Sequence, residues 1–419
     1  MPDALPQHPL MGRPEWVEVL EARPLPDPAE FAIRGRGQWG EVTPDIAEQL
    51  FCYRRAEKKL AGFHQKGWLY RRLSLEQCSG AAAARYKAGL FSGELCADLT
   101  GGLGIDSLAF AVSFGQVHHV EAVPVISALA RHNHHISGAA NIRHYAETTA
   151  DFLQRFRGKA DLMYADPSRR DGDARVFRLA DCEPNIPELL PLLREKAQHV
   201  LLKLSPLYDL KQLIRELPEI QFIEVVSHRG EVKEILAGWR NERDTGPERS
   251  ATISAVLIDD AGNVLHRAEQ SPVTTQPPQV SGDALLPGDF LLLPDPAVVK
   301  AEVTAAVAGH LSLSSLSGDW SLLWARKSNP GFSPKTFPGR SFVLEWCLPF
   351  HPKQLKKKLR RENLKRVHVY RRDFPVNVAG LRKKFQLEMG EEGHLLFFTD
   401  GSGQRWCARC TLSILDTGR

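Results

Sequence analysis

Residues 96–107, Cys-Ala-Asp-Leu-Thr-Gly-Gly-Leu-Gly-Ile-Asp-Ser, hold the densest chemistry in the chain. An apolar run carries Asp98 to its end, and Gly101, Gly102 and Gly104 turn the backbone before a helical segment. Glycines permit positive φ and a close approach to a ligand. A phosphate cradle would aim N–H groups and a positive helix end at an anion, which a carboxylate at its mouth opposes. A ligand with an amine and a sulfonium, such as S-adenosylmethionine, suits Asp98 better. A dinucleotide fingerprint fails on spacing, because its third glycine would fall on Ser107. The turn points to a methyl donor.

Three further acids follow apolar runs. Glu121, next to Ala122, stands 17 positions after Gly104, near the ~20-residue interval at which an acid reaches a ribose hydroxyl. Asp151, in Thr149-Ala150-Asp151-Phe152, is placed to accept from an adenine amine. Asp166-Pro167-Ser168-Arg169-Arg170 comes after the fourth run. Each acid alone also fits a helix cap or a solvated loop, but together they mark consecutive strand ends. Asp166 and the Pro167 carbonyl could hold both hydrogens of a planar amine and aim its lone pair, so that orientation supplies most of the acceleration. Lys203 could instead join Asp166 in activating a ribose hydroxyl. That reading ranks below the amine, since strand lysines more often face solvent or a ligand's charge.

These residues need a scaffold. Residues 43–92 read as helical, with Thr43 as N-cap before Pro44. Candidate strands then run over Leu95–Leu99, Val117–Val120, Ile142–Glu147, Leu162–Ala165, Val200–Leu204 and Ile220–Val226. Helical stretches fall near Ile105–Phe114, Val125–Ile136, Pro187–Ala197 and Leu210–Leu217. Such alternation predicts a parallel α/β sheet covered on both faces, with ligands at the carboxyl ends of its strands. Ile253–Asp259 reads as a last strand, antiparallel to Ile220–Val226 at the sheet edge. Expected domains are a helical region (1–92), a sheet domain (93–268), a Pro/Gln/Thr-rich linker (269–288), a small α+β domain (289–340) and a final module (341–419).

With 419 residues, 43% hydrophobic and 25% charged, the chain has the composition of a soluble globular protein of two or three domains. No apolar run spans a bilayer, and the proline-rich start does not read as a signal peptide. Seven scattered cysteines suit a reducing compartment, hence a cytoplasmic location. Cys407-Ala-Arg-Cys410, the one CxxC, reads as packed thiols, so no metal is expected. Between His351 and Phe385 lie Lys353, Lys356, Lys357, Lys358, Arg360, Arg361, Lys365, Arg366, Arg371, Arg372, Arg382, Lys383 and Lys384, against only Glu362 and Asp373. One basic helix alone would be a solvated face; a cluster spanning two helices and a strand favours a nucleic acid.

Asp98-x-x-Gly-Gly-x-Gly, Glu121, Asp151 and Asp166-Pro167 together resemble class I S-adenosylmethionine-dependent methyltransferases of the nucleic-acid branch, which often lack the first motif glycine; here that residue is Thr100. Glu76-Gln-Cys-Ser79, Arg85-Tyr-Lys-Ala88, the Asp98–Asp106 turn, Asp166-Pro-Ser-Arg-Arg-Asp171 and Phe337-Pro-Gly-Arg340 are similar to bacterial THUMP-like-domain methyltransferases from about residue 43 onward. The resemblance implies a Rossmann-like methyltransferase domain followed by ferredoxin-like and THUMP-like α+β modules. It implies a donor site around Asp98, Gly102, Gly104, Glu121 and Asp151, with Thr100, Gly101, Ala122 and Phe152 beside it. The acceptor would sit near Asp166 and Pro167.

Amino-group methyltransferases usually follow Asp-Pro with proline and an aromatic; here Ser168 and Arg169 stand there. Arg169 and Arg170 could stack on a base, hold a phosphate, or pair with Asp171 or Asp173. The expectation is an RNA methyltransferase acting on structured RNA such as tRNA or rRNA, a base amine favoured, with Ser168, Arg169, Arg170, Lys203, Lys356, Lys357, Arg360, Arg371 and Arg372 toward the substrate. The alternatives are a small-molecule or protein methyltransferase and an inactive RNA-binding protein. No membrane partner is expected, and the oligomeric state is open.

Overall fold

A computed structural model describes residues 8–22, 24–169, 178–240, 251–270 and 276–413. The chain divides into two units. The first begins with the predicted helical region, broken into Thr43–Lys59, Arg72–Gln77 and Ala81–Ala88. In the long helix Ile46, Leu50 and Tyr53 recur at helical spacing and are buried. Thr43 lies inside its first turn, where the hydroxyl donates to the Gly40 carbonyl; Val42 takes the cap position expected of Thr43. The break at 60–71 follows from packing, since Trp68, Leu69 and Tyr70 are fully buried there.

The strands of this unit are β1 (Gly93–Asp98), β2 (Phe114–Val120), β3 (Ile142–Tyr145), β4 (Ala160–Ala165), a two-residue ribbon of β5 (Ser168–Arg169) and β6 (Cys182–Glu183), β7 (Ala197–Leu204) and β9 (Glu231–Arg240), which follows β8 (Phe222–His228) in the chain. Six of them lie in the order β3-β2-β1-β4-β7-β9. All neighbours are parallel except β9, which runs antiparallel to β7. The chain winds outward from β1 through β2 to β3, then crosses to the other side at β4. The crevice beyond the carboxyl ends of β1 and β4 is therefore a topological switch point, where such sheets bind ligands. Asp98 and Asp166 both end up there.

Sequence periodicity overlooks β9. Its apolar stretch Ile235-Leu-Ala-Gly-Trp239 is short, and it is buried on both faces, so it lacks the alternation that marks a half-buried strand. Gly238 makes the pairing possible: a Cβ there would lie 2.0 Å from the Val200 carbonyl oxygen.

In the second unit, to which β8 belongs from Glu224 on, β10 (Thr252–Ile258) and β11 (Val264–Glu269) give the order β11-β10-β8. The strand expected at Ile253–Asp259 is thus β10, beside β8 as read but not at the edge, because β11 covers it. A further sheet contains β12 (Phe290–Pro294), β13 (Ser314–Ser315), β14 (Leu323–Ala325), β15 (Gly339–Pro349), β16 (His368–Arg372), β17 (His394–Thr399) and β18 (Arg405–Leu412), in the order β13-β14-β12-β15-β18-β17-β16. The segment read as a separate small domain (289–340) shares this sheet with the final module through the β12–β15 pairing.

The stretch read as linker is also packed from 279 on. Gln279 bridges Ser315, and Ser281 and Gly282 donate to the Asp400 carboxylate; residues 271–275 lie outside the described residues. Cys407 and Cys410 belong to apolar clusters on opposite faces of the sheet, so the two thiols cannot converge on one ion. No helix among the described residues is long and apolar enough to cross a membrane. Gly238→Val should force β9 off β7 and lower stability by about 2–4 kcal/mol in urea unfolding; an unchanged midpoint would refute this register.

Candidate active site

The turn after β1 is tied down from three sides. The Leu99 N–H donates to the Tyr164 carbonyl of β4, the Gly101 N–H to the Val120 carbonyl of β2, and the Thr149 hydroxyl to the Leu99 carbonyl. Thr100, at the place of the missing first glycine, accepts from the Asp166 N–H at 2.7 Å. A glycine could not make that bond. Thr100 thus couples the glycine turn to the end of β4.

The glycines divide the work. A Cβ on Gly101 would lie 2.1 Å from the His119 ring, and one on Gly104 would lie 2.2 Å from His134. Those two are glycines because buried imidazoles press against the turn. Gly102, at φ +53°, faces open space on its own side, with only the Thr100 oxygen as near as 4.0 Å from a Cβ position. That opening is what a bound ligand would fill.

The imidazoles form a neutral network. Ser107 Oγ donates to Asp98 Oδ2 at 2.6 Å and so accepts from His119 Nδ1 at 3.0 Å. His134 Nε2 donates to the Gly104 carbonyl, leaving its Nδ1 to accept from His144 Nε2. Burial lowers all three, His134 to about 4 and His144 to about 3. Asp98 is 1% exposed, and its Oδ1 accepts from the Thr100 N–H. Burial raises its carboxyl to about 7, against the Ser107 hydrogen bond. Its side chain organises the turn from inside.

Glu121 sits at the rim. One oxygen accepts from the Gly102 N–H at 2.9 Å and the other from the Val123 N–H at 2.8 Å. These bonds fix the carboxylate and leave lone pairs for hydroxyl donors. Ala122 is exposed next to it, as is Asp151, which exchanges hydrogen bonds with the Thr148 cap. Phe152 departs from the expected ligand role, since its ring is buried and stacked on Phe156 at 5.4 Å. The apolar core claims it.

Register also brings the ends of β4 and β7 together. Ala165 of β4 pairs with Leu202 of β7, so the next step sets Asp166 beside Lys203. Lys203 Nζ donates to Asp166 Oδ2. Burial alone would lower the Lys203 ammonium, but Asp166, Asp106 and Glu234 outweigh it and hold it above its ordinary range. Pro167 is buried and Ser168 exposed in the ribbon with Glu183. The Arg169 side chain and Arg170 lie outside the described residues.

Behind this pair lies a charge network that the sequence reading did not find. Lys87, 0% exposed, donates to both oxygens of Glu234 at 2.8 and 2.7 Å and to Ser79 Oγ, with Asp106 at 3.3 Å. Asp106 also accepts from Ser79 and Tyr164. Ser79, Lys87 and Asp106 stand in segments that carried the resemblance, but no local pattern shows that they meet. Glu234 had no signal, because β9 itself went unread.

Of the basic residues read as substrate contacts, Lys357 and Arg360 are exposed and Lys356 half-buried on the helix Pro352–Arg361. Arg371 and Arg372 are turned to the protein: Arg371 donates to the Phe374 carbonyl and the half-buried Arg372 to the Ser321 carbonyl.

Six strands in this reversing order, with a glycine turn after β1 and an acid after β2, have the class I methyltransferase fold. Residues 339–412 match the family model described as THUMP domain-like. Two Mycobacterium tuberculosis proteins named as uncharacterized S-adenosylmethionine-dependent methyltransferases are 26% identical over 84% of this chain and 91% of their own length. A crystal structure titled as a putative methyltransferase from Porphyromonas gingivalis W83 is 26% identical, with a TM-score of 0.77 over 96% of this chain and 97% of that one. The chain is an S-adenosylmethionine-dependent methyltransferase of class I with a C-terminal THUMP-like domain.

The residues fit that donor. The opening at Gly102 would take its adenosyl part, with the Glu121 carboxylate toward the ribose and Asp151 toward the adenine. When bound, it supplies an electrophilic methyl group on a sulfonium.

Two outcomes follow. Gly102→Ala should weaken S-adenosylhomocysteine binding at least ~10-fold in calorimetry while unfolding shifts by about 1 kcal/mol. Gly101→Ala should instead lower stability by about 2–4 kcal/mol through the His119 clash; equal behaviour of the two would refute this division. Second, the Asp98 carboxyl is raised from 3.8 to about 7 in the folded state. Its contribution is fully present below pH ~4 and is lost as pH rises through ~7, on the order of 4 kcal/mol. Asp98→Asn should remove that decline, and matching pH–stability curves for both proteins would sink the assignment.

Proposed function

We propose that this methyltransferase acts on structured RNA, tRNA or rRNA being the leading substrates. The observation that carries the reading is the helix Pro352–Arg361. Leu355 and Leu359 are buried, and Lys353, Lys357, Arg360 and Arg361 are exposed around them. Among the described residues, these four form no ion pair. Lys358 differs, pairing with Glu362 at 2.7 Å and lying over the Trp346 ring. A row of uncompensated cations on one helix face suits phosphates, whose counterions are released on binding. The THUMP domain-like match over the same residues supports an RNA partner, and the donor turn and Asp166 support methyl transfer to it.

The triple variant Lys357→Glu/Arg360→Glu/Arg361→Glu should bind tRNA at least ~10-fold more weakly than the parent. Its log–log salt dependence should be shallower by about 2, with S-adenosylhomocysteine affinity unchanged. Equal RNA affinity and slope would refute the helix as the RNA grip. Transfer of labelled methyl to a protein or a small molecule, with none to RNA, would refute the substrate class.

A further inference from the structure

We propose that the methylated atom is a hydroxyl oxygen, the ribose 2′-hydroxyl, and not an exocyclic base nitrogen. This rests on the RNA reading above and reverses the order in which the sequence ranks the two acceptors. The reason is the Asp166–Lys203 pair and what stands behind it.

An amine acceptor needs two hydrogen-bond acceptors for its two hydrogens, in surroundings that tolerate positive charge on nitrogen as the new bond forms. This site has the opposite charge beside it, a cation. One oxygen of Asp166 is committed to Lys203, and among the described residues the other has no partner. That free oxygen can take the single proton of a hydroxyl; with the Pro167 carbonyl it could also hold an amine, so the charge beside it decides. The nearest polar neighbour is an ammonium, which repels a nitrogen gaining positive charge. It favours an oxygen that gains negative charge while losing its proton.

The ammonium is a fixed part of the site. Lys203 is 13% exposed at its side chain, whereas Asp166 is 35% exposed. The cation is held by the buried acids behind it, Asp106 and Glu234, and these are held in turn by Lys87. Lys203 therefore keeps its protons throughout, and Asp166 is the group that can take one.

The step balances as follows. A bond forms between the ribose oxygen and the methyl carbon while the sulfur–methyl bond breaks, its electron pair returning to sulfur, which becomes a neutral thioether. The hydroxyl proton passes to the free oxygen of Asp166 and from there to solvent at the half-exposed carboxyl. Lys87 and Glu234 are positioning residues, because they act only through Asp106 and Lys203.

The test uses the full-length protein, labelled S-adenosylmethionine and RNA from cells lacking the protein. The labelled RNA is digested to nucleosides for mass spectrometry, and a second portion is hydrolysed in alkali. The expected result is label in 2′-O-methylnucleosides and in alkali-resistant dinucleotides. Label in an N-methylated base with a free 2′-hydroxyl would overturn the hydroxyl assignment while leaving the RNA reading intact. No label in any RNA would overturn the RNA reading and this inference with it.

Lys203→Met should lower kcat about 100-fold with the KM for the donor within ~3-fold. Lys203→Arg should recover part of kcat, since it restores a cation that hydrogen-bonds Asp166. A kcat for Lys203→Met equal to the parent's would overturn the role given to the ammonium. The wild-type product analysis stands even if a variant fails to fold.

Discussion

The ammonium of Lys87 is the point on which the catalytic unit depends. It is sealed from water and surrounded by Glu234, Asp106 and Ser79. A buried cation is stable only while its partners stay in place. Its partners come from the loop before the last N-terminal helix, the helix start after the glycine turn, and β9. Together they pin the donor turn between the N-terminal helices and the last strand of the catalytic sheet. Burial pushes Glu234 up from its ordinary value and would do the same to Asp106, but Lys87, Lys203, Ser79 and Tyr164 bring Asp106 below it. The network is charged because each member is paired.

The turn itself is a compromise between packing and access. His119 and His134 fill the spaces beside Gly101 and Gly104, so those glycines serve the core. Gly102 alone keeps its space open. Asp98 and Thr100 face opposite ways from one short segment. Asp98 turns inward to Ser107 and its own backbone, and Thr100 turns to the backbone N–H of Asp166. The glycine turn and the end of β4 are thereby linked through one hydroxyl.

In the THUMP-like part, charge and apolar content are segregated on one short helix. Two leucines hold the helix Pro352–Arg361 to an aromatic cluster with Phe374, Phe385 and Phe397, while its basic side chains stay in solvent. Basic residues on the neighbouring strand fare differently. Arg371 and Arg372 satisfy carbonyls nearby, and Arg372 is lowered by its burial. Clustering in sequence overstated how many of the cations are available.

What the sequence by itself determined is local. The glycine turn, the acids at successive strand ends, the alternation of strands and helices and the basic helix can all be read there, because each depends on spacing within one segment. Ser79, Lys87 and Asp106 were visible only as parts of matching segments, without roles, and Thr100 only as a residue beside the expected donor. Only the tertiary structure decided that Lys203 faces Asp166 and that Lys87 meets Glu234 across 147 positions of chain. It also decided that Phe152 belongs to the core and that 289–340 shares a sheet with the final module. Those outcomes depend on strand register and on which groups burial forces to find partners, and neither is written in any single stretch of residues.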